Sequence, residues 1–289
     1  MSTGHILLLG VIAGATIFLG LPIARMSSFS PVARAGLSAL ATGILLFLLW
    51  DVLSGAVDPI EANLGTKLAD GSIQGRDLGQ FAWLSVLGVA GFALGLMGLV
   101  YYSVWMRRRS SRRVTTMVGP GAAAVDEFAR RRWIDGLTPG MQLSLLIAVG
   151  IGVHNFGEGL AIGQAAAAGT TSLAITLIVG FALHNATEGF GICGPLAGEG
   201  TKPSWGFLGL MGLIGGAPTF LGTVLGQAWS SEAMTVVFFA VAAGSILYVV
   251  QELMAVNRSY GRTTLVTWLV VAGVLLGFAT DFVVSAAGI

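Results

Sequence analysis

Eight stretches of about twenty apolar residues, nearly free of charge, govern what this chain can fold into. They occupy residues 5–24, 36–56, 81–106, 141–167, 171–194, 205–228, 234–256 and 264–286. A bilayer interior offers the backbone no water, so a spanning segment must pair its own N–H and C=O groups, which a helix does unaided. The pattern predicts an all-α, polytopic membrane protein with eight transmembrane helices in one domain over residues 1–289. Composition agrees, with 55% hydrophobic against 10% charged residues, far from the balance of a soluble domain. No basic residue precedes the first apolar run and Arg25 follows it, so that run is expected to stay as a helix rather than leave as a signal peptide. A lone cysteine, Cys193, rules out an internal disulfide and a site built on several thiolates.

The segments between spans carry turn-forming residues, as in "RMSSFSP", "GPLAGEGTKPS" and "NRSYGR". With the N-terminus outside, Arg25, Arg34, the run from Arg107 to Arg132, Lys202, Arg258 and Arg262 face the cytoplasm, and only Lys67 and Arg76 remain outside. Basic residues favour the cytoplasmic side. A multi-pass protein of the cell membrane is therefore expected, with both termini extracellular or periplasmic. Residues 107–135 would form a basic cytoplasmic loop between helices 3 and 4, anchored at anionic lipid. A formal net charge of +1 gives no field for nucleic acid, and no such partner is expected.

Ionisable groups at bilayer depth cost on the order of 2.5 kcal/mol or more and mark functional sites by default. Seven acids qualify by position or proximity: Asp51, Asp58, Glu61, Glu158, Glu188, Glu252 and Asp281. Two of the three histidines head a repeated motif, "HNFGEG" from His154 and "HNATEG" from His184. Within each copy His and Glu lie four residues apart and share a helix face. An antiparallel hairpin turning at Thr171 sets residues equidistant from it side by side, pairing His154 with Glu188 and Glu158 with His184. All four then meet roughly 15 to 20 Å below the turn, near the midplane.

Two imidazoles and two carboxylates suit a borderline divalent cation, and one dication cancels both carboxylate charges. Asn155 and Asn185 could add a carbonyl ligand or a supporting hydrogen bond. Helix packing alone also uses buried polar residues, but it does not require the same ordered triplet twice at matched depth.

"HNFGEGLAIG" and "HNATEGFGI" resemble the fourth and fifth transmembrane helices of the ZIP (Zrt/Irt-like) metal transporters, of the prokaryotic type. Span one, "GVIAGATIFLGLPIA", span two with its acidic end, and span seven, "AAGSILYVVQELM", are similar in place. The resemblance implies uptake of a divalent transition metal into the cytoplasm and a homodimer. It also implies an elevator-like motion of helices one, four, five and six against two, three, seven and eight. Zinc would be the leading substrate, with Fe2+, Mn2+, Co2+ and Cd2+ as further candidates, and no cofactor. His154, Glu158, His184 and Glu188 would be primary ligands supported by Asn155 and Asn185, and Glu252 would line the path. Asp51, with Asp58 at i+7 and Glu61 beyond, reads from the residues as an acidic entrance stripe, although Asp58 and Glu61 read equally well as loop acids. Asp281 reads as a pathway group or a helix-end acid.

The chain departs from the family where many bacterial relatives place a sixth-helix Glu: here "GLIGGAPTFLG" has Gly215 and Gly216, leaving a second metal position without that ligand. Gly157 and Thr187 stand where Pro often precedes the motif Glu, and the loop lacks a His-rich tract. Pro218 is expected to bend span six and free a carbonyl. The Gly-rich spans three and six allow either sliding or close packing. An intramembrane metalloenzyme is the alternative use of such a site. No HExxH, GxSxG or phosphate-cradling loop accompanies it, so an enzyme is not expected.

Overall fold

The computed structural model describes residues 3–26, 30–67, 73–114, 137–167, 171–198, 202–228 and 231–286, and the side chain of His184 lies outside that description. Among the described residues eight α-helices follow in chain order: α1 Thr3–Ala15, α2 Pro31–Ala62, α3 Leu78–Val114, α4 Pro139–Ala167, α5 Thr171–Cys193, α6 Trp205–Ala228, α7 Glu232–Ser259 and α8 Thr263–Ala286. Two 3-10 turns, Thr16–Leu19 and Leu21–Arg25, extend α1, and a short antiparallel hairpin, β1 Thr66–Lys67 with β2 Ile73–Gln74, follows α2. Among the described residues seven helical stretches are long and apolar enough to cross a membrane. The remaining helix, α5, has 23 residues and occupies the expected fifth span.

Five helices start where a short polar side chain satisfies an N–H that no preceding turn can reach. Ser30 accepts from Ala33 N–H before α2, Asp77 from Gln80 before α3, and Thr138 from Met141 before α4. Ser204 accepts from Phe207 at α6, and Ser231 from Met234 at α7. Two helix ends differ from the sequence expectation. α2 continues to Ala62, so Asp58 and Glu61 stand on a helix and not in a loop. Asn63 stops it there, with its side-chain amide donating to Pro59 O at 2.9 Å. α3 continues to Val114, so the first arginines of the expected basic loop extend the helix. Arg is a good helix former, and a helix leaving the bilayer keeps its own hydrogen bonds. The rest of that loop, 115–135, lies outside the described residues.

Packing sorts the helices into two groups of four. α4 lies along α6, with α1 and α5 completing the first group; α3 pairs with α7, and α2 with α8 and α7, in the second. α4 against α7 is the main contact between the groups, with α2 against α5 beside it. Inside each group glycines let backbone meet backbone. A Cβ on Gly14 of α1 would strike the Gly216 carbonyl of α6, one on Gly222 the Phe156 carbonyl of α4, and one on Gly95 the Val241 carbonyl of α7. Between the groups the contacts are mostly through side chains: a Cβ on Gly157 would stand 3.8 Å from Ala242 Cβ, and one on Gly191 3.9 Å from Ala41 Cβ. Gly150 is tighter, its Cβ position 2.7 Å from Val249 Cγ2. Glycine here serves mainly close packing within a group.

Apolar core fills the boundary, with Ile147 and Ile151 of α4, Ile246 and Val249 of α7, and Leu45 and Leu48 of α2 in one buried cluster. The outer faces of α3 and α8 expose Trp83, Val86, Val89, Trp268, Leu275 and Phe282, which suits surfaces solvated by acyl chains.

Candidate metal centre

One half of the hairpin register expected from the repeat, His154 beside Glu188, is present between α4 and α5; the other, Glu158 beside His184, rests on a side chain outside the described set. His154 Nε2 lies 3.2 Å from Glu158 Oε1, one turn along its own helix, and 3.5 Å from Glu188 Oε1 on the neighbouring one. All three side chains are buried. Among the described residues, neither ring nitrogen of His154 and neither oxygen of Glu158 or Glu188 has an aligned hydrogen bond. Two ionised carboxylates set against one imidazole leave at least one negative charge unmatched among these three side chains, and a buried charge left so costs several kcal/mol.

A dication matches that charge. For metal–ligand bonds of 2.0–2.1 Å in a tetrahedron, adjacent ligand atoms stand about 3.3 Å apart, and the two measured separations fall either side of this value. Among the described residues no three His, Cys, Asp or Glu side chains form a complete metal-holding group by themselves. The expected fourth member, His184, lies on α5 with its side chain outside the described set.

Asn155 and Asn185 turn their amides elsewhere. Asn155 Nδ2 donates to Gly215 O of α6 at 2.9 Å, and Asn185 Nδ2 donates to Ala13 O of α1 at 2.9 Å. Both residues are fully buried, and their Oδ1 atoms have no hydrogen-bond partner among the described residues. Ala13 is in the last turn of α1, and its carbonyl also accepts from the Thr16 hydroxyl at 2.7 Å. Gly215 is three residues before Pro218, whose missing N–H deprives the adjacent Ile214 carbonyl of its helical donor. Sequence reasoning picked the asparagines but missed these backbone partners. At Gly215 a side chain would run into Ile17 Cδ1 at 2.6 Å and Ile192 Cδ1 at 3.4 Å, so that position faces isoleucine.

Of the outlying acids, Asp51 of α2 lies within electrostatic reach of Asp281 on α8 and of His154 and Glu158 on α4. This links the second group to the cluster. Asp58 and Glu61 are exposed near the C-terminal end of α2; Asp281 and Glu252 are half-buried on α8 and α7. Two contacts not anticipated from sequence cross the group boundary: Gln164 of α4 and Thr235 of α7 share hydrogen bonds of 3.1 Å, and the Phe156 and Phe238 rings stand 5.0 Å apart.

Membrane-spanning helices around a buried histidine–carboxylate cluster have the architecture of a transporter for a small cation. The family model described as ZIP zinc transporter matches residues 134–285, more than half of the chain, and the chain belongs to that family. It is accordingly a multi-pass membrane protein that transports divalent metal, and not an enzyme. The match begins just before α4 and ends in α8, so it contains both copies of the motif. Among curated proteins no match to the chain is found.

Proposed function

We propose that the protein carries divalent metal, zinc foremost, into the cytoplasm through a site formed by His154, Glu158, His184 and Glu188. The observation that carries this reading is the approach of His154 Nε2 to two buried carboxylates, 3.2 and 3.5 Å away, with no aligned hydrogen bond between them. One dication would neutralise the pair of carboxylates. All four residues stand on α4 and α5, so α1, α4, α5 and α6 can carry the whole ion as one body past α2, α3, α7 and α8 in an elevator-like step. Asp51 and Asp281 would hold cations at the entrance, with Asp58 and Glu61 towards its mouth, and Glu252 would line the exit. The protein would act as a homodimer in the cell membrane, with both termini outside.

Uptake of radioactive zinc by proteoliposomes tests the transport reading. Intact protein should accumulate zinc, and His184→Ala and Glu188→Ala should not; a protein that binds zinc and moves none under any gradient would sink it. Competition by Fe2+, Mn2+, Co2+ and Cd2+ ranks the substrates. A cysteine introduced between residues 107 and 135 should resist an impermeant thiol reagent in whole cells, and labelling there would reverse the orientation. Cross-linking in native membranes addresses the dimer.

A further inference from the structure

We propose that Asn155 and Asn185 are positioning residues that clamp each metal-bearing helix to the backbone of the helix beside it, through their amide nitrogens. The proposal rests on the site proposed above and adds how that site is held. The two clamps repeat each other: Asn155 joins α4 to α6 at Gly215 O, and Asn185 joins α5 to α1 at Ala13 O, each at 2.9 Å. Each amide nitrogen donates to a carbonyl within a turn of a helix irregularity, the 3-10 turn that begins at Thr16 or Pro218 in α6. A buried amide without an acceptor is costly, so each bond fixes the asparagine rotamer against the neighbouring helix.

Three independent features support a shared role. Both asparagines immediately follow a motif histidine, so holding the Asn holds the backbone that carries His154 or His184. Neighbouring glycines bring the clamped backbones together: a Cβ on Gly152 of α4 would strike the Ile214 carbonyl of α6, and one on Gly20 beyond α1 would stand 2.7 Å from the Ala186 carbonyl of α5. Asn155 also approaches the Glu188 carboxylate, so one amide touches α6 and faces a candidate ligand on α5. The four helices joined by these clamps are the first packing group.

Aspartate at each position separates clamp from ligand. Asn155→Asp and Asn185→Asp each keep an oxygen for a metal, and as carboxylates they would bind it better than an amide does, but they lose the N–H donor and set oxygen against the Gly215 or Ala13 carbonyl. The clamp predicts that each Asp variant, and Asn155→Leu and Asn185→Leu with it, lowers zinc affinity about 10- to 100-fold by isothermal titration in detergent, the range for residues that orient ligands. Asp variants that retain or gain affinity would overturn the proposal. Hydrogen exchange without metal reads the clamp directly. Asn185→Asp should speed exchange around residues 13–20, and Asn155→Asp around residues 215–222, each leaving the other segment unchanged. Unchanged exchange at both would overturn the clamp. If His154→Ala and Glu188→Ala bind zinc normally, the site reading fails, and the exchange result still decides the clamp.

Discussion

α4 is the least apolar of the seven spans among the described residues and the most buried, at 78%; the more apolar α8 is 11% buried. In water that order would be reversed. Within a bilayer, lipid tails solvate apolar side chains as well as a protein core does, so hydrophobicity gives a helix no reason to move inward. Small residues that let backbones approach, and polar residues that must find partners, provide the reason. α4 has both, in Gly152, Gly159 and Gly163 and in His154, Asn155 and Glu158. α8 touches α2 along one glycine seam, at Gly273 and Gly277, and shows Trp268 and Leu275 outward.

The sharpest contrast should come from removing ligands. His154→Ala or Glu188→Ala is expected to cut zinc uptake into proteoliposomes by more than about 100-fold, exceeding the effect of losing a supporting group. Leu275→Ala, on the outer face of α8, should leave uptake unchanged. Equal losses in both helices would erase the functional difference between them.

Stability separates the seams from the open faces. Gly222→Ala forces a methyl group into the Phe156 carbonyl and should destabilise by roughly 1–3 kcal/mol, read as a lower melting temperature in detergent. Gly98→Ala in α3, with nothing within 4 Å of the new Cβ, should be neutral or stabilising by up to about 1 kcal/mol. A Gly222→Ala protein as stable as the parent would dissolve the idea of glycine-joined groups.

Smaller effects are expected where the groups meet. Asp51→Asn weakens cation attraction beside His154 and Glu158 and should slow uptake about three- to ten-fold at low zinc, with little change at saturation. Gln164→Ala and Thr235→Val each remove the bonds linking α4 to α7, a net effect of about 0.5–1.5 kcal/mol. The pair should shift cysteine accessibility at the site without altering zinc affinity, and the double variant should match either single one.

Much of the fold was legible because its signals are local. Apolar runs of about twenty residues located the helices, while the caps at Ser30, Asp77, Thr138, Ser204 and Ser231, each accepting from an N–H three residues ahead, went unread. The ends were harder to read: α2 runs through Pro59 to Ala62, and α3 runs past its apolar core because arginine does not break a helix. The approach of His154 to Glu188 was readable from hairpin symmetry, which needs only residue spacing and helical rise.

Partners reached through the fold were not readable. Gly215 drew notice for the carboxylate it lacks, yet its carbonyl receives Asn155 from 60 positions away, and Ala13 receives Asn185 from 172. By itself, then, the sequence determined eight apolar spans and two matched His-Asn-x-x-Glu faces, because length, charge and periodicity act within one helix. Only the tertiary structure decided that α4 lies at the centre, which seams the glycines close and where the asparagine amides end. Those choices depend on neighbouring backbones, and lipid, unlike water, does not sort helices by how apolar they are.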